Sequence, residues 1–254
     1  MFRPRVIPVL LLQNNVLVKS IKFKKFKYIG DPINAVKVFN DLKADELAFL
    51  DINATQENRT ISLDLVENVG EEANMPFSVG GGISTIDEIK SIINKGAEKV
   101  ILNTSAITKP EFIKEAAEYF GSSTITVCID VKKKFLGKEV VWSHGGKKPT
   151  NLSPVKYAKI AESQGAGEII IQSIDKDGMM DGYNIGLIKE LSNSVTIPVV
   201  ALGGAGKIQD LIDGYKKGYA SALAAGSMFV FQGPKKGVLI NYLEKEILSH
   251  FNEL

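Results

Sequence analysis

Short apolar runs alternate with longer amphipathic segments along the whole chain. The runs are apolar at consecutive positions, which is typical of parallel strands covered by helices on both faces. Helical spacing of apolar residues lies between them, with clear examples at 32–44, 85–97, 154–166 and 208–218. The pattern predicts eight strands, at 5–12, 46–52, 76–81, 99–103, 125–131, 168–174, 197–204 and 220–227.

Strands and helices that alternate in this way predict an α/β fold. Eight βα units within 254 residues fit a closed (β/α)8 TIM barrel better than an open sheet. The chain also repeats, because Gly82 and Gly204 of two glycine-rich turns are separated by 122 positions, as are Asn103 and Ala225. We therefore expect a single domain over 1–254, built from two half-barrels at roughly 1–122 and 123–254.

The carboxyl ends of the strands carry the chemistry in barrels of this kind. The two half-barrels superimpose with "VCIDVKK" on "PVLLLQN", which places Asp130 of the fifth strand opposite Leu11 of the first. A carboxylate can transfer a proton and leucine cannot. The sequence therefore predicts one carboxylate, Asp130, where a symmetric barrel would carry two.

Two glycine-rich turns occupy equivalent positions in the half-barrels. Glycine lets backbone N–H groups approach an anion, so the matched pair predicts a ligand with a phosphate at each end. Tight packing between a strand and its helix also needs glycine, which is the alternative for either turn alone. The candidate phosphate-binding residues are Gly81, Gly82, Asn103 and Thr104 on one side, and Gly203, Gly204, Gly226 and Ser227 on the other.

The loop after the sixth strand, "SIDKDGMMDGYN" (173–184), is rich in aspartate and glycine. Asp177 is a candidate acid/base or hydroxyl-binding residue at the barrel mouth, and Gly178 is a candidate ligand-binding position beside it. With Asp130 and Asp51, Asp177 would surround a ligand with carboxylates. The alternative is a turn whose aspartates cap backbone amides.

Composition narrows the function classes. The 31 basic and 29 acidic residues leave a net charge of +2, which favours neither nucleic acid nor a membrane surface as a partner. The lysine clusters at 22–27 and 132–134 are interpreted as solvated loops, with a nucleic-acid patch or binding of a ligand phosphate as the alternatives. One cysteine, Cys128, and two histidines, His144 and His250, are too few for a metal site, and no cofactor is predicted. We find neither a membrane-spanning stretch nor a signal-peptide pattern, so we expect a cytosolic protein.

These motifs together resemble the cyclase subunit family of imidazole glycerol phosphate synthase, a two-fold repeated barrel of the ribulose-phosphate-binding type. The motifs that carry the resemblance span nearly the whole chain and include "GDPINAVKVFN", "DELAFLDINAT", "VGGGIS", "GAEKVILNTSA", "GAGEIIIQSIDKDGMMDGYN" and "ALGGAGK". In that family a glutaminase partner releases ammonia, which enters the barrel bottom through a ring of four charged residues. The matching residues, each at the start of a strand, are Arg5, Glu46, Lys99 and Glu168. The alternative for these four is a stabilising plug at the bottom face.

The resemblance also implies an acid and a base, both aspartates, on the first and fifth strands. Asp130 matches the second aspartate and Leu11 stands at the first, so the cyclase reaction is expected to be lost. The eighth strand, "AAGSMF", carries one residue more than the usual run of the family. With "RPRVIPVLLL" and "SIDKDGMMDGY", these departures resemble a branch found in bacterial surface-glycan clusters. That branch is assigned to acetamidino-sugar formation beside a glutaminase homologue and an ATP-dependent sugar amidotransferase.

Three functions remain open. The first is a barrel that accepts ammonia from a class I glutaminase bound at its bottom and conducts it toward acetamidino-sugar formation. The second is an authentic cyclase of histidine biosynthesis, in which Asp130 works with another acid such as Asp177. The third is an isomerase of a phosphorylated aminoaldose. Leu11 argues against the second and the third, and the charged ring argues against the third because an isomerase needs no ammonia entrance.

Overall fold

The computed structural model describes residues 3–134, 137–244, 247–248 and 251, so His250 and the last residues of the predicted domain lie outside the described residues. The strands are β1 (Arg5–Gln13), β2 (Val16–Ile21), β3 (Lys24–Gly30), β4 (Leu47–Asp51), β5 (Phe77–Gly80), β6 (Lys99–Leu102), β7 (Ile125–Lys133), β8 (Glu139–Ser143), β9 (Lys148–Pro149), β10 (Glu168–Ser173), β11 (Val199–Leu202), β12 (Ala222–Ala225), β13 (Phe231–Gln232) and β14 (Gly237–Val238). The helices are α1 (Pro32–Asp41), α2 (Leu63–Glu72), α3 (Ile86–Asn94), α4 (Thr104–Thr108), α5 (Glu111–Phe120), α6 (Pro154–Ser163), α7 (Ile185–Ser192) and α8 (Ile208–Lys216).

Eight parallel strands, β1, β4, β5, β6, β7, β10, β11 and β12, form a closed barrel with helices between them. The circle closes where β12 pairs with β1, in the register Arg5 to Ala222, and where β7 pairs with β10, in the register Thr126 to Glu168. The predicted TIM-barrel fold is therefore confirmed. The strands agree with the predicted runs to within two residues at each end. The extent of the single domain stays a prediction.

The two halves of the chain begin their helices in matched ways. Asp31 caps α1 and Ser153 caps α6, and in both helices the first residue is proline. Glu88 accepts hydrogen bonds from the two backbone N–H groups that precede α3, and Asp210 does the same for the two that precede α8. Glu88 and Asp210 are themselves 122 positions apart. The sequence repeat therefore extends to the local hydrogen bonds at the carboxyl end of the barrel.

The apolar side chains form two layers, one inside the barrel and one between the strands and the helices. The outer layer is the larger and contains fully buried aromatic residues such as Phe39, Phe49 and Tyr157. The inner layer is a separate cluster made mostly of small and branched side chains, such as Ala48, Val200 and Ala224. Because both faces of each strand are buried, the strands are apolar at consecutive positions, as the pattern of the sequence indicates.

The interpretation of the lysine clusters as loops was wrong. Residues 22–27 belong to the hairpin of β2 and β3, which extends the sheet from the end of β1. Lys132 and Lys133 extend β7, which pairs with β8 in a second hairpin. The lysine side chains of 22–27 are exposed, so their solvation is as expected. An exposed strand at a sheet edge tolerates lysine as readily as a loop does, and composition does not distinguish the two.

Candidate functional site

The four charged residues predicted at the barrel bottom lie together and pair with one another. Arg5 pairs with both carboxylates, and Lys99 Nζ lies 3.5 Å from Glu46 Oε1 and 3.2 Å from Glu168 Oε2. Glu46 and Glu168 are buried, while the side chains of Arg5 and Lys99 are 36% and 20% exposed. Burial raises the pKa of Glu46, and the charges of Lys99 and Arg5 oppose that rise. The ring is balanced in charge and presents its two cations to the outside.

The barrel interior above this ring is largely apolar, with a few polar atoms. Thr126 is 1% exposed and Gln172 is 5% exposed. Among the described residues, Thr126 Oγ1 and Gln172 Oε1 are buried oxygens without a hydrogen-bond partner. A buried polar atom without a partner is costly, so each oxygen marks a place that a small hydrogen-bonding molecule would stabilise.

A cavity of about 1010 Å³ opens at the other end of the barrel, where the carboxyl ends of the strands meet their loops and the two hairpins. Its wall contains every residue that the sequence assigns to catalysis or to phosphate binding, together with Leu11. These lining residues are Leu11, Gly81, Gly82, Asn103, Thr104, Asp130, Asp177, Gly178, Gly203, Gly204, Gly226 and Ser227.

Asp130 is a buried carboxylate at the floor of the cavity. Its Oδ2 accepts a hydrogen bond from Asn103 Nδ2 at 3.2 Å, and its Oδ1 lies 3.7 Å from the Cys128 thiol. Burial raises the pKa of Asp130 to about 7, and the two hydrogen bonds reduce the rise. A carboxyl with such a pKa exchanges a proton easily near neutral pH. Leu11 lines the same cavity from β1 and cannot join in proton transfer.

Asp177 holds the β2–β3 hairpin against the barrel mouth. Its carboxylate accepts hydrogen bonds from Ser20 Oγ at 2.7 Å and from the Phe23 N–H at 3.2 Å, and its carbonyl oxygen accepts from the Lys22 N–H at 3.0 Å. Lys22 and Phe23 both have positive φ, so these bonds support a strained turn. A Cβ on Gly178 would overlap the Ser20 carbonyl oxygen, which explains the glycine there. Burial raises the pKa of Asp177, and the hydrogen bonds with the hairpin lower it in part.

The other aspartates near the mouth are engaged in the protein itself. Asp51 accepts from the N–H groups of two following residues and pairs with Arg59 at 2.6 Å. Asp175 accepts a hydrogen bond from the Lys133 N–H at 2.9 Å. Asp181 forms an ion pair at 3.2 Å with Lys176 of the same loop. The arrangement agrees with aspartates that cap backbone amides, and Asp130 differs from them because its described partners include neither a backbone N–H nor a cation.

Lys19 is a buried cation in the cavity wall that the sequence analysis missed. It lies in β2 and donates from Nζ to the carbonyl oxygen of Val9. A Cβ at Gly226 would lie 2.6 Å from Lys19 Nζ, so the glycine makes room for this ammonium group. Burial lowers the pKa of Lys19 to about 8, and the nearby charge of Asp177 opposes the shift. Lys19 was missed because its hairpin was taken for a loop and nothing in its local sequence differs from an exposed lysine.

The two glycine-rich turns lie on opposite sides of the mouth, and packing requires their glycines. A Cβ on Gly82 would overlap the Arg59 carbonyl oxygen, and one on Gly204 would overlap the Gly182 carbonyl oxygen. Both glycines have positive φ. The close approach of backbones therefore accounts for these glycines without a ligand, and phosphate binding there stays a prediction.

A second group that the sequence analysis missed lies over the first turn. His144 has positive φ in the bend after β8, and its N–H donates to Thr104 Oγ1 at 3.0 Å. Lys148 Nζ lies 3.4 Å from His144 Nε2. Lys147 Nζ donates a hydrogen bond to Gln56 Oε1 in the loop between β4 and α2. Burial and the charge of Lys148 lower the pKa of His144. The β7–β8 hairpin thereby places cationic groups beside Thr104, although they are about 40 positions apart in sequence.

The residues that the structure describes lack two kinds of feature. They contain no cluster of three or more His, Cys, Asp or Glu side chains placed to hold a metal ion. No described helix combines the length and the apolar character that a membrane crossing needs.

Comparison with known proteins gives consistent matches over nearly the full length. The model of a family described as histidine biosynthesis protein matches residues 5–233. A Pseudomonas aeruginosa protein, provisionally named imidazole glycerol phosphate synthase subunit hisF2, is 44% identical over 242 residues, which cover 95% of this chain and 96% of the relative. Two proteins with the provisional name imidazole glycerol phosphate synthase subunit HisF are similar. The one from Leptospira interrogans is 43% identical over 247 residues (97% of both chains), and the one from Leptospira borgpetersenii is 44% identical over 243 residues (95% and 96%).

Proposed function

This chain belongs to the histidine biosynthesis protein family, and we propose that it is an ammonia-conducting barrel that has lost the cyclase reaction. The observation that carries the proposal is the contrast between the two ends of the barrel. The bottom has the complete ring of Arg5, Glu46, Lys99 and Glu168. At the top, the cavity wall has Asp130 on the fifth barrel strand but Leu11 at the equivalent position of the first. A barrel that still ran acid–base chemistry on strands one and five would need a proton-transferring group at both positions.

Ammonia would enter through the charged ring. Neutral ammonia is small and carries three donors and one acceptor, so it suits a narrow apolar path with occasional polar atoms. Thr126 stands in register with Glu168 of the ring and Gln172 with Asp130 in the cavity wall, and each has an oxygen free to accept. The path would end beside Asp130, at the floor of the open cavity.

The supply of ammonia would come from a class I glutaminase bound at the bottom face. The ring exposes its cations there, and Glu98 lies beside it with an exposed side chain. We place the complex in the cytosol, where glutamine is available. The consumer would be an ATP-dependent sugar amidotransferase that forms an acetamidino sugar for a surface polysaccharide, as the resemblance to the surface-glycan branch implies.

The cavity would still bind a phosphorylated ligand. Asn103 and Thr104 would contact one phosphate, and Gly204 and Ser227 the other. Sulfate soaked into crystals should occupy the first site at least, since the second adjoins the longer eighth strand. A well-resolved soaked crystal with both turns empty would show that the repeat is purely architectural.

An authentic cyclase is the second candidate, and one observation favours it. Asp130 has a pKa of about 7 and Asp177 lies in the same cavity, so a proton-transferring pair is available without Leu11. The bonds of Asp177 to Ser20 and Phe23 argue against this role, because they occupy the carboxylate. An isomerase is the weakest candidate function, because an enzyme that uses no ammonia has no need for the charged ring.

The test of the proposal is a calorimetric titration of the barrel with the glutaminase encoded beside it. We expect a 1:1 complex at micromolar concentration or below. Glu98→Lys should weaken it at least about tenfold, because the charge of an interface is reversed. Glu111→Lys is the matched control, since Glu111 is an exposed acid in the first turn of α5, at the opposite end of the barrel. Absence of binding by the unmodified barrel would contradict the ammonia path.

A further inference from the structure

One part of the barrel mouth combines positive charge with exposed apolar side chains. It consists of residues 21–28 of the β2–β3 hairpin and residues 231–239, and we call it the lysine surface. These two segments contain no Asp or Glu. Their six lysines are Lys22, Lys24, Lys25, Lys27, Lys235 and Lys236, all of them exposed.

The two segments are in contact and form one surface. Lys27 Nζ donates to the Lys236 carbonyl oxygen at 3.2 Å, and it lies 4.9 Å from the centre of the Phe231 ring. Lys27 is thus held on the protein, while the described structure shows no ion pair for the other lysines of the surface. The positive charge is therefore not neutralised within this part of the chain.

Exposed apolar side chains concentrate on the same surface. Of the nine large hydrophobic residues described as exposed, five lie in these two segments and a sixth, Met179, lies in the loop that holds the hairpin. Tyr28 is 63% exposed and Leu239 is 52% exposed. Scattered apolar residues are ordinary on a surface, but a concentration with aromatic members is typical of an interface.

The lysine surface borders the cavity. Phe23 and Phe26 of the hairpin line the cavity wall, so the hairpin has one side toward the cavity and the other toward solvent. Phe26 reaches both, because it lines the cavity and is 47% exposed. A protein seated on this surface would lie beside the opening from which a molecule leaves the barrel.

We infer that the lysine surface docks the ammonia-consuming amidotransferase through an acidic, partly apolar patch of that enzyme. The inference rests on the proposed function, because ammonia that is not used in the barrel must pass to another active site without loss to water. Six exposed lysines without an acidic residue favour a partner of negative charge, and the exposed tyrosine and leucine offer apolar contacts to it. The occupant is a protein rather than a lipid bilayer because a seal around the cavity mouth requires a shaped surface.

The main test uses a charge reversal and the purified amidotransferase encoded beside this gene. The variant is K24E/K25E/K235E/K236E in the barrel–glutaminase complex, with binding measured by surface plasmon resonance at several salt concentrations. The unmodified complex should bind at micromolar concentration or below and weaken as salt rises, because exposed charges are screened. The variant should bind at least about tenfold more weakly, mainly through slower association. The matched control is K90E/K156E/K159E/K216E, which changes the charge equally on exposed helix positions and should bind as the unmodified complex does.

A second variant tests the apolar contacts without a change of charge. Tyr28→Ser with Leu239→Ser should weaken binding by about tenfold or more, while the control Tyr119→Ser, at an equally exposed tyrosine on α5, should not. Circular dichroism and a thermal melt show whether each variant is folded. Equal binding by both surface variants and the unmodified complex would overturn the inference.

Two further measurements separate the possible failures. If the barrel binds the glutaminase but the amidotransferase does not bind the complex at micromolar concentration, the docking inference fails and the proposed function stands. If the glutaminase does not bind, the proposed function itself fails. Vesicles of phosphatidylglycerol and phosphatidylcholine are the last probe. Strong binding of these vesicles, abolished by the charge reversal, would reassign the lysine surface to a membrane and overturn the inference.

Discussion

At the bottom of the barrel both buried carboxylates, Glu46 and Glu168, contact two cations each, whereas at the top Asp130 forms no ion pair with the described residues. The four charged residues at the bottom come from strands that are far apart in sequence, and their ion pairs hold the side chains in place. At the top, the buried cation Lys19 bonds to a backbone carbonyl instead of to a carboxylate.

This difference separates two uses of buried charge. A closed ring of paired charges holds its side chains in one fixed arrangement, because removing either partner would leave an uncompensated buried charge. An unpaired carboxyl in an open cavity has its pKa displaced by burial and can respond to a ligand or to pH. We therefore expect the protonation of Asp130 at the top to respond to a ligand or to pH, and the side chains of the ring at the bottom to stay in place.

The largest expected effect concerns the missing acid at Leu11. Proton transfer by a positioned acid or base contributes about 10²–10⁴-fold to a rate, which corresponds to about 3–5 kcal/mol in the barrier. Turnover of the histidine-pathway nucleotide with free ammonia should therefore be negligible, and Leu11→Asp should restore a trace. The gene should also fail to support growth of a histidine auxotroph that lacks its own cyclase. Growth at a normal rate would make the cyclase the better assignment.

The next effect concerns the charged ring. Lys99→Met leaves two buried carboxylates with one cation, and we expect the free energy of unfolding to fall by about 3 kcal/mol in urea denaturation. Lys95→Met is the control, because Lys95 pairs with Glu67, a half-exposed carboxylate on the outer surface. That change should cost less than about 1 kcal/mol. Equal losses in the two variants would show that the ring is an ordinary surface network.

The pKa of Asp130 gives a dependence of stability on pH. The folded-state pKa of about 7 lies above the value of about 4 in an unfolded chain, so the folded state binds the proton more tightly and loses stability as pH rises from 4 to 7. Asp130→Asn removes this loss. Relative to the unmodified protein, the variant should gain about 2–3 kcal/mol between pH 5 and pH 8.

Urea denaturation at both pH values measures the gain. Asp181→Asn, at a half-exposed carboxylate of the mouth loop, is the control and should change stability by less than about 0.5 kcal/mol. An effect of Asp130→Asn that is the same at pH 5 and pH 8 would mean that Asp130 is charged throughout this range and that a cation reaches it.

The smallest effect concerns the hairpin at the mouth. Asp177→Ala removes the acceptor of the Ser20 hydroxyl and the Phe23 N–H, which should cost about 1–2 kcal/mol. Hydrogen exchange should then accelerate across residues 16–30 and leave the barrel strands protected. Asp177→Asn should have a smaller effect, because both bonds end on Oδ2 and the amide oxygen of asparagine can take that place. Unchanged exchange in the hairpin would show that its strand pairing alone holds it.

Much of the molecule could be read from local patterns. The eight strands follow from runs of apolar residues, and the repeat follows from the 122-residue spacing of the glycine-rich turns. The ring was implied by the resemblance to the cyclase family, and it agrees with the strand pattern because Arg5, Glu46, Lys99 and Glu168 each begin a predicted strand and the amino-terminal ends of barrel strands meet at one face. The contrast between Leu11 and Asp130 also follows from the alignment of the two halves.

What the sequence determined is therefore the periodic part of the protein: the barrel, its two-fold repeat and the residues at the strand ends. Only the tertiary structure decided the environment of each of those residues. Lys19 becomes a buried cation because the β2–β3 hairpin folds over the mouth, and Asp177 becomes the anchor of that hairpin rather than a free acid. The physical reason is that burial and hydrogen-bond partners come from residues distant in sequence, here as far apart as Ser20 and Asp177, while strand and helix patterns are set by neighbours a few positions away.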